Sequence, residues 1–311
     1  MATAIAPPPG IYVPAVLFYD NDDELDLVAI KSHVLRLAKG GITGILVQGS
    51  NGEAQHLSHE ERKLAIQTTR QTLDQNGFSH TVVLAGTGAQ STRETIKLCR
   101  DAKEAGATFA LVLTPSTWVP QMTRENIINF HRKVADASPI PTMIYNFPVV
   151  TAGQDLDSDI ISVLATHPNI VGTKLSCGNI GKLHRLTTTH TQSSFAVFAG
   201  RSDVFTQGLL SGSAGAIAAL VNLLPKVHAH VYEVFKAGRI EDAMTLQGKL
   251  AHGDSAVSKA GGIAGLKGLI TKHFGYGNGV VRGPLASAVE EKLRLAEEGK
   301  LIELIELEKS L

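Results

Sequence analysis

Cysteine is scarce in this chain, and that scarcity excludes whole classes of chemistry before any motif is read. Two cysteines, Cys99 and Cys177, in 311 residues make neither a disulfide framework nor a metal-ligand pattern, and they suit a reducing compartment. Charge of one sign is missing too. Twenty-nine basic residues balance twenty-nine acidic ones, so no long-range field draws the protein to nucleic acid or to an anionic membrane surface. No apolar run approaches the ~18 residues of a membrane span. The opening "MATAIAPPPG" has neither the basic start and apolar run of a secretory signal nor the arginines of a mitochondrial presequence, so the default expectation is a cytoplasmic location. The GxGxxG fingerprint of an open dinucleotide-binding sheet is also absent. "GTGAQS" at 86–91 is too loose to count and reads as a turn from strand into helix.

What is present is a rhythm. Short β-branched runs at 13–18, 44–49, 81–86, 109–114, 141–146, 169–175, 195–200 and 214–220 alternate with helical stretches such as 58–73 and 92–106. Ser58 with Glu61 three positions on forms a capping box, and Gly106 stands where a helix C-terminal glycine belongs. Eight strand–helix repeats in this length predict an α/β fold, a parallel (β/α)8 TIM barrel, rather than an open doubly wound sheet. After about residue 236 the pattern becomes helical only, over 239–257 and 285–311, with the glycine-rich "HFGYGNGVVRGP" between. The expected division is a barrel over 1–236 carrying the active site, and a C-terminal helical extension over 237–311.

In such a barrel the chemistry sits at the C-terminal ends of the strands. Lys174, in "NIVGTKLSCG", falls at the end of the sixth run, Tyr145 in "IYNFP" at the end of the fifth, and Ser50 and Asn51 in "GSNGE" after the second. Alternation puts Ile170, Gly172 and Lys174 on one face, and Met143 and Tyr145 on one face of their own strand; both are assigned to the interior. Gly172 would then leave space for a small ligand beside the lysine. A desolvated lysine supplies free amine for attack on a carbonyl, and the iminium that forms accepts the electrons of a breaking C–C bond. A nearby phenol can move the protons. Taken singly, each residue has a plainer explanation: a snorkelling lysine, a core tyrosine, a turn. Their common placement at one rim favours the chemistry. His56, His59 and Glu60 in "HLSHEE", and "HAH" at 228–230, are read as structural rather than metal-binding.

"GSNGE" at 49–53, "YNFP" at 145–148, "VGTK" at 171–174 and "GSAGAIAALVN" at 212–222 resemble the dihydrodipicolinate synthase / N-acetylneuraminate lyase family of pyruvate-handling class I lyases, over roughly residues 10 to 300. The resemblance implies a Schiff-base lysine at Lys174 and a catalytic tyrosine at Tyr145. It also implies a carboxylate-binding pair at Ser50 and Asn51 and a residue beside the pyruvate methyl at Ile217. It further implies a homotetramer, pyruvate as the shared 2-oxo acid, and no metal or other cofactor. Two departures stand out. Val150 occupies the place of the arginine that follows "YNVP" in dihydrodipicolinate synthases, and Ser116 and Thr117 replace a tyrosine pair, leaving Thr117 as the candidate relay. The "GSNGE" form is similar to the 4-hydroxy-2-oxoglutarate aldolase branch and the 2-keto-3-deoxy sugar-acid aldolases. The expected activity is therefore cleavage of a 4-hydroxy-2-oxo acid or 2-keto-3-deoxy sugar acid. The alternatives are dihydrodipicolinate synthase activity, N-acetylneuraminate lyase activity, or a non-catalytic pyruvate-binding barrel.

Overall fold

The computed structural model describes residues 4–311. Its eight parallel strands pair in sequence order, and the last pairs with the first to close a barrel. They are β1 Gly10–Pro14, β2 Gly44–Val47, β3 Val82–Gly86, β4 Phe109–Leu113, β5 Thr142–Asn146, β6 Ile170–Leu175, β7 Ala196–Ala199 and β8 Gly215–Ile217. Between and after them run α1 Leu27–Lys39, α2 His59–Gln75, α3 Thr92–Glu104, α4 Arg124–Ala137, α5 Ser158–Ala165, α6 Ile180–Thr189, α7 Phe205–Leu210 and α8 Pro225–Lys236. This is the (β/α)8 barrel that the alternation predicts. The strands are apolar on both faces because helices cover one and packed side chains fill the other. Tyr12, Leu46, Leu84, Leu111, Met143 and Phe198 belong to the inner cluster. Local signals behave as expected: Ser58 accepts from the Glu61 N–H at 3.2 Å while its own N–H donates to the Glu61 carboxylate at 2.7 Å.

The first strand lies earlier than its apolar run suggests. Pairing with β2 ends at Pro14, and the following Ala15–Tyr19 segment is buried without being a strand. Its backbone is satisfied in other ways: the Val16 N–H donates to Asn222 Oδ1 at 2.9 Å. At the N-terminal end of the barrel, Ala6 joins the inner cluster and the Tyr12 hydroxyl donates to the Pro8 carbonyl at 2.7 Å. That end is closed, which leaves the other for a site.

Beyond Lys236 the chain forms α9 Ile240–Lys259, α10 Ile263–Phe274, α11 Glu290–Glu297 and α12 Lys300–Ser310. The helical stretch read over 285–311 is divided at Gly299, whose φ of 91° lies in the left-handed region. Helix α10 carries Gly265 and Gly268 in its interior. Gly265 is needed for close packing, since a Cβ there would stand 2.7 Å from the Ala260 carbonyl oxygen.

Candidate active site

Lys174 and Tyr145 sit opposite each other in the β5–β6 register, at the C-terminal ends of their strands. Lys174 Nζ donates to the Tyr145 hydroxyl at 3.3 Å and stands 4.3 Å from the centroid of its ring. Both are buried, at 3% and 4% exposure, and Phe147 stacks on the Tyr145 ring at 5.6 Å. Among the described residues two other lysines are buried. Lys182 is paired with Asp155, and Lys267 with Glu53. Among the described residues no carboxylate lies within salt-bridge range of Lys174. A buried cation is normally paired, so a buried lysine resting only on a phenol is poorly explained by stability.

Two expectations about β6 are corrected. The register slips between Thr142 and Met143, which pair with Ile170 and Gly172, so Val171 is an extra residue in β6. Such a bulge breaks strict alternation. Val171 joins the inner cluster and Ile170 the outer one, whereas Lys174 lies beside Tyr145 of the inner cluster. Nor does Gly172 leave room for a ligand. A Cβ there would come within 2.5 Å of the Ala196 carbonyl and 3.3 Å of Met143 Cε. The glycine is required by neighbouring strand β7.

Over this rim opens a cleft of about 330 Å³, lined by Tyr145, Ser50, Gln48, Glu53, Gln90 and Val150 among others. Ser50 is thus brought to the same space as Tyr145. Asn51 is half-buried beside it in the 3-10 turn Ser50–Gly52, and Ile217 is fully buried in the inner cluster that also contains Tyr145. Thr117 is exposed; its hydroxyl and its N–H both bond Gln90 Oε1 at 2.9 Å. Its hydroxyl is therefore not hydrogen-bonded to Tyr145. No lysine or arginine lines the cleft among the described residues; His56 is the one basic group there, with Nδ1 3.5 Å from Glu53 Oε2.

Several residues around the site escape sequence inspection. Gln48 and Glu53 flank the Gly49–Gly52 turn and both hold positive φ, 48° and 51°. Glu53 is buried and accepts from Lys267 Nζ and from the Arg282 N–H at 2.9 Å, which ties the turn to α10 and to the segment after it. Thr114 lines the cleft, and its hydroxyl is 3.3 Å from Nε2 of the buried His131, whose pKa burial lowers to about 4. The other tempting histidines are otherwise engaged. His59 Nε2 meets Glu94 at 2.5 Å, and His228 is bonded to Ser202 and to the Leu224 carbonyl. Only the positive φ values leave any trace in sequence terms, as non-glycine residues around a tight glycine turn. The Glu53–Lys267 pair spans 214 residues and leaves none.

The dihydrodipicolinate synthetase family model matches residues 7–300. A protein of Emericella nidulans named "Probable 4-hydroxy-2-oxoglutarate aldolase, mitochondrial" is 45% identical over 97% of each chain. The L-threo-3-deoxy-hexylosonate aldolase of Hypocrea jecorina is 42% identical over 98% of each. Among solved structures, a dihydrodipicolinate synthase family protein from Coccidioides immitis superposes with a TM-score of 0.88 at 37% identity, over 98% of each chain. These relatives correct the expected location. The Emericella protein and a Coccidioides relative both carry "mitochondrial" in their names, which points to the mitochondrion rather than the cytoplasm. The cytoplasmic expectation rested on missing leader features, and such an absence specifies no address. The chain belongs to the dihydrodipicolinate synthetase family and is a carbon–carbon lyase of the aldolase type.

Proposed function

We propose that this member of the dihydrodipicolinate synthetase family cleaves a 4-hydroxy-2-oxo acid or 2-keto-3-deoxy sugar acid to pyruvate and an aldehyde, through an imine on Lys174. The observation that carries the assignment is the contrast among the buried lysines: two have carboxylate partners, and Lys174 has only the Tyr145 phenol. In the proposed sequence, the Lys174 amine attacks the C2 carbonyl and the Tyr145 hydroxyl gives its proton to the departing oxygen, so that loss of water leaves an iminium and a phenolate. Tyr145, as phenolate, takes the C4 hydroxyl proton while the C3–C4 bond breaks, and its electrons move into the C2–N iminium to give an enamine. The aldehyde departs, Tyr145 returns its proton to C3, and water hydrolyses the iminium to pyruvate and the free amine, the proton released restoring the Tyr145 phenol. Ser50 and Asn51 are assigned to the C1 carboxylate, Ile217 to the apolar side of the three-carbon unit, and Thr117, bound to Gln90, at most an indirect part in the relay.

For the distal half, the wall of the cleft favours a neutral, hydroxylated chain. Val150 offers no donor, and a carboxylate taken from water needs a directed cation. This disfavours dihydrodipicolinate synthase activity and ranks a sugar acid above 4-hydroxy-2-oxoglutarate. We also propose a homotetramer, with residues 1–236 as the catalytic unit and 237–311 as the helical unit that supports it. The test is borohydride added with pyruvate. Irreversible inactivation with a reduced pyruvyl adduct on the Lys174 peptide, lost in Lys174→Arg, is the expected result. An adduct on another lysine, or none, overturns the mechanism; a protein that neither traps pyruvate nor turns over would be the non-catalytic barrel.

A further inference from the structure

The roles assigned so far account for the pyruvate half of the substrate and leave the departing half without a recognising group. We propose that Gln48 binds the departing half, its side-chain amide oxygen accepting a hydrogen bond from a hydroxyl beyond C4. This rests on the sugar-acid reading above and names the residue that would make it specific.

Gln48 directly follows β2, so it stands at the same end of the barrel as Lys174 and Tyr145. Gln48 is a long polar side chain, 1% exposed, and it forms part of the cleft wall. Its amide is only half satisfied. Nε2 donates to the Gly86 carbonyl at 3.4 Å, whereas no group among the described residues donates to the buried Oε1. The bond to a carbonyl also decides which end of the amide is oxygen, since a carbonyl cannot donate. Buried acceptors are nearly always paired, so Oε1, on a side chain that lines the cleft, calls for a donor such as solvent in the free enzyme and a substrate hydroxyl once one binds.

The surroundings were shaped to hold it. Gln48 has a φ of 48°, and the adjacent Gly86 permits the close approach: a Cβ there would lie 2.1 Å from the Gln48 carbonyl oxygen. The same cleft carries Ser50, Gln55, Gln90, Thr114 and Ser116. Amides and hydroxyls of this kind match a polyol chain. A carboxylate could not serve at Oε1, because it has no proton to give and would meet an oxygen lone pair.

The experiment compares two substrates on two proteins. A 2-keto-3-deoxy-hexonate has hydroxyls on C5 and C6; 4-hydroxy-2-oxopentanoate keeps C4 and ends in a methyl. Wild-type kcat/KM should favour the hexonate, and Gln48→Met should remove roughly 10–100-fold of that preference, the range for a lost substrate hydrogen bond. Activity on the pentanoate and borohydride trapping of pyruvate should stay within about twofold. Equal losses on both substrates would show that Gln48 merely supports the turn and would overturn the proposal. Absence of any hexonate preference in the wild type would overturn it without a variant, so a misfolded Gln48→Met leaves it falsifiable. Failed trapping on wild type would strike the Lys174 mechanism alone. Gln48 is then judged by the dissociation constants of the same two ligands, with the same ratio expected and its absence equally fatal.

Discussion

Removing the Lys267 ammonium should loosen the turn that carries Ser50 and Asn51. The side chains of Lys267 and Glu53 are fully buried, and the Lys267 ammonium bonds the Glu53 carboxylate and also donates to the Val280 carbonyl at 2.8 Å. Tyr19 and Arg282 pack around the pair, with Lys267 Nζ 4.4 Å from the Tyr19 ring centroid. Burial pushes the Lys267 pKa down, opposed by the Glu53 carboxylate beside it. Lys267→Met keeps the length of the side chain and deletes its charge, leaving Glu53 buried with the Arg282 N–H. Breaking a buried pair by removing one partner costs about 3–5 kcal/mol. At roughly 2–4 °C per kcal/mol for a large domain, melting should fall by about 6–20 °C. Glu53→Gln with Lys267→Met removes the orphaned charge and should restore a good part of that loss, so the two substitutions are not additive. Pyruvate KM should rise in the single variant, because the turn no longer has its anchor to α10. A single variant within about 1 °C of wild type and with unchanged KM would refute the anchor. A double variant less stable than the sum of the singles would refute the charge accounting.

Tyr145→Phe should fold normally and lower turnover about 10²–10⁴-fold, the range for a positioned acid–base group, whereas Thr117→Val should cost less than about tenfold because its hydroxyl is committed to Gln90. Equal, large losses in steady-state assays would return the relay to Thr117. Glu308, buried and accepting from the Val227 N–H at 3.0 Å, has its pKa raised by burial from 4.5 to about 7. Between those values the folded state binds the extra proton, so wild-type stability falls as pH rises through the window. Glu308→Gln should therefore melt higher than wild type at pH 8, by up to about 3 kcal/mol, with no advantage below pH 4.5. A variant less stable at pH 8 would contradict this.

Much of the barrel is legible because each strand–helix unit carries its own periodicity and punctuation. Ser58 and Glu61 announce α2 on their own, three residues apart. Where the fold departs from expectation, the cause comes from outside the segment. β1 ends at Pro14, and Asn222, 206 residues further on, takes the Val16 N–H and donates to the Pro14 carbonyl. The bulge at Val171 exists only in relation to β5, and no pattern within "NIVGTKL" marks it. The role of Gly172 follows from Ala196 in the same way.

The candidate site divides along the same line. "VGTK" and "IYNFP" mark Lys174 and Tyr145 through their places at strand ends, a local property. What separates Lys174 from an ordinary buried lysine is not local. Lys182 belongs to a helix whose pattern alone gives no reason for burying a cation, and it is satisfied by Asp155, 27 residues away. Lys267 depends on Glu53, more than two hundred residues distant. Each would look as reactive as Lys174 if its carboxylate were unseen. Conversely, Lys174 is set apart from these two only once its surroundings are placed, and among the described residues no carboxylate lies within salt-bridge range of it. Asp155, the carboxylate that follows Tyr145 most closely in the chain, is taken by Lys182 and by Asn146 of the same "YNFP" motif at 2.7 Å. Composition could not reveal this, because the number of acids equals the number of bases. The assignment of a reactive amine rests on how the fold distributes them.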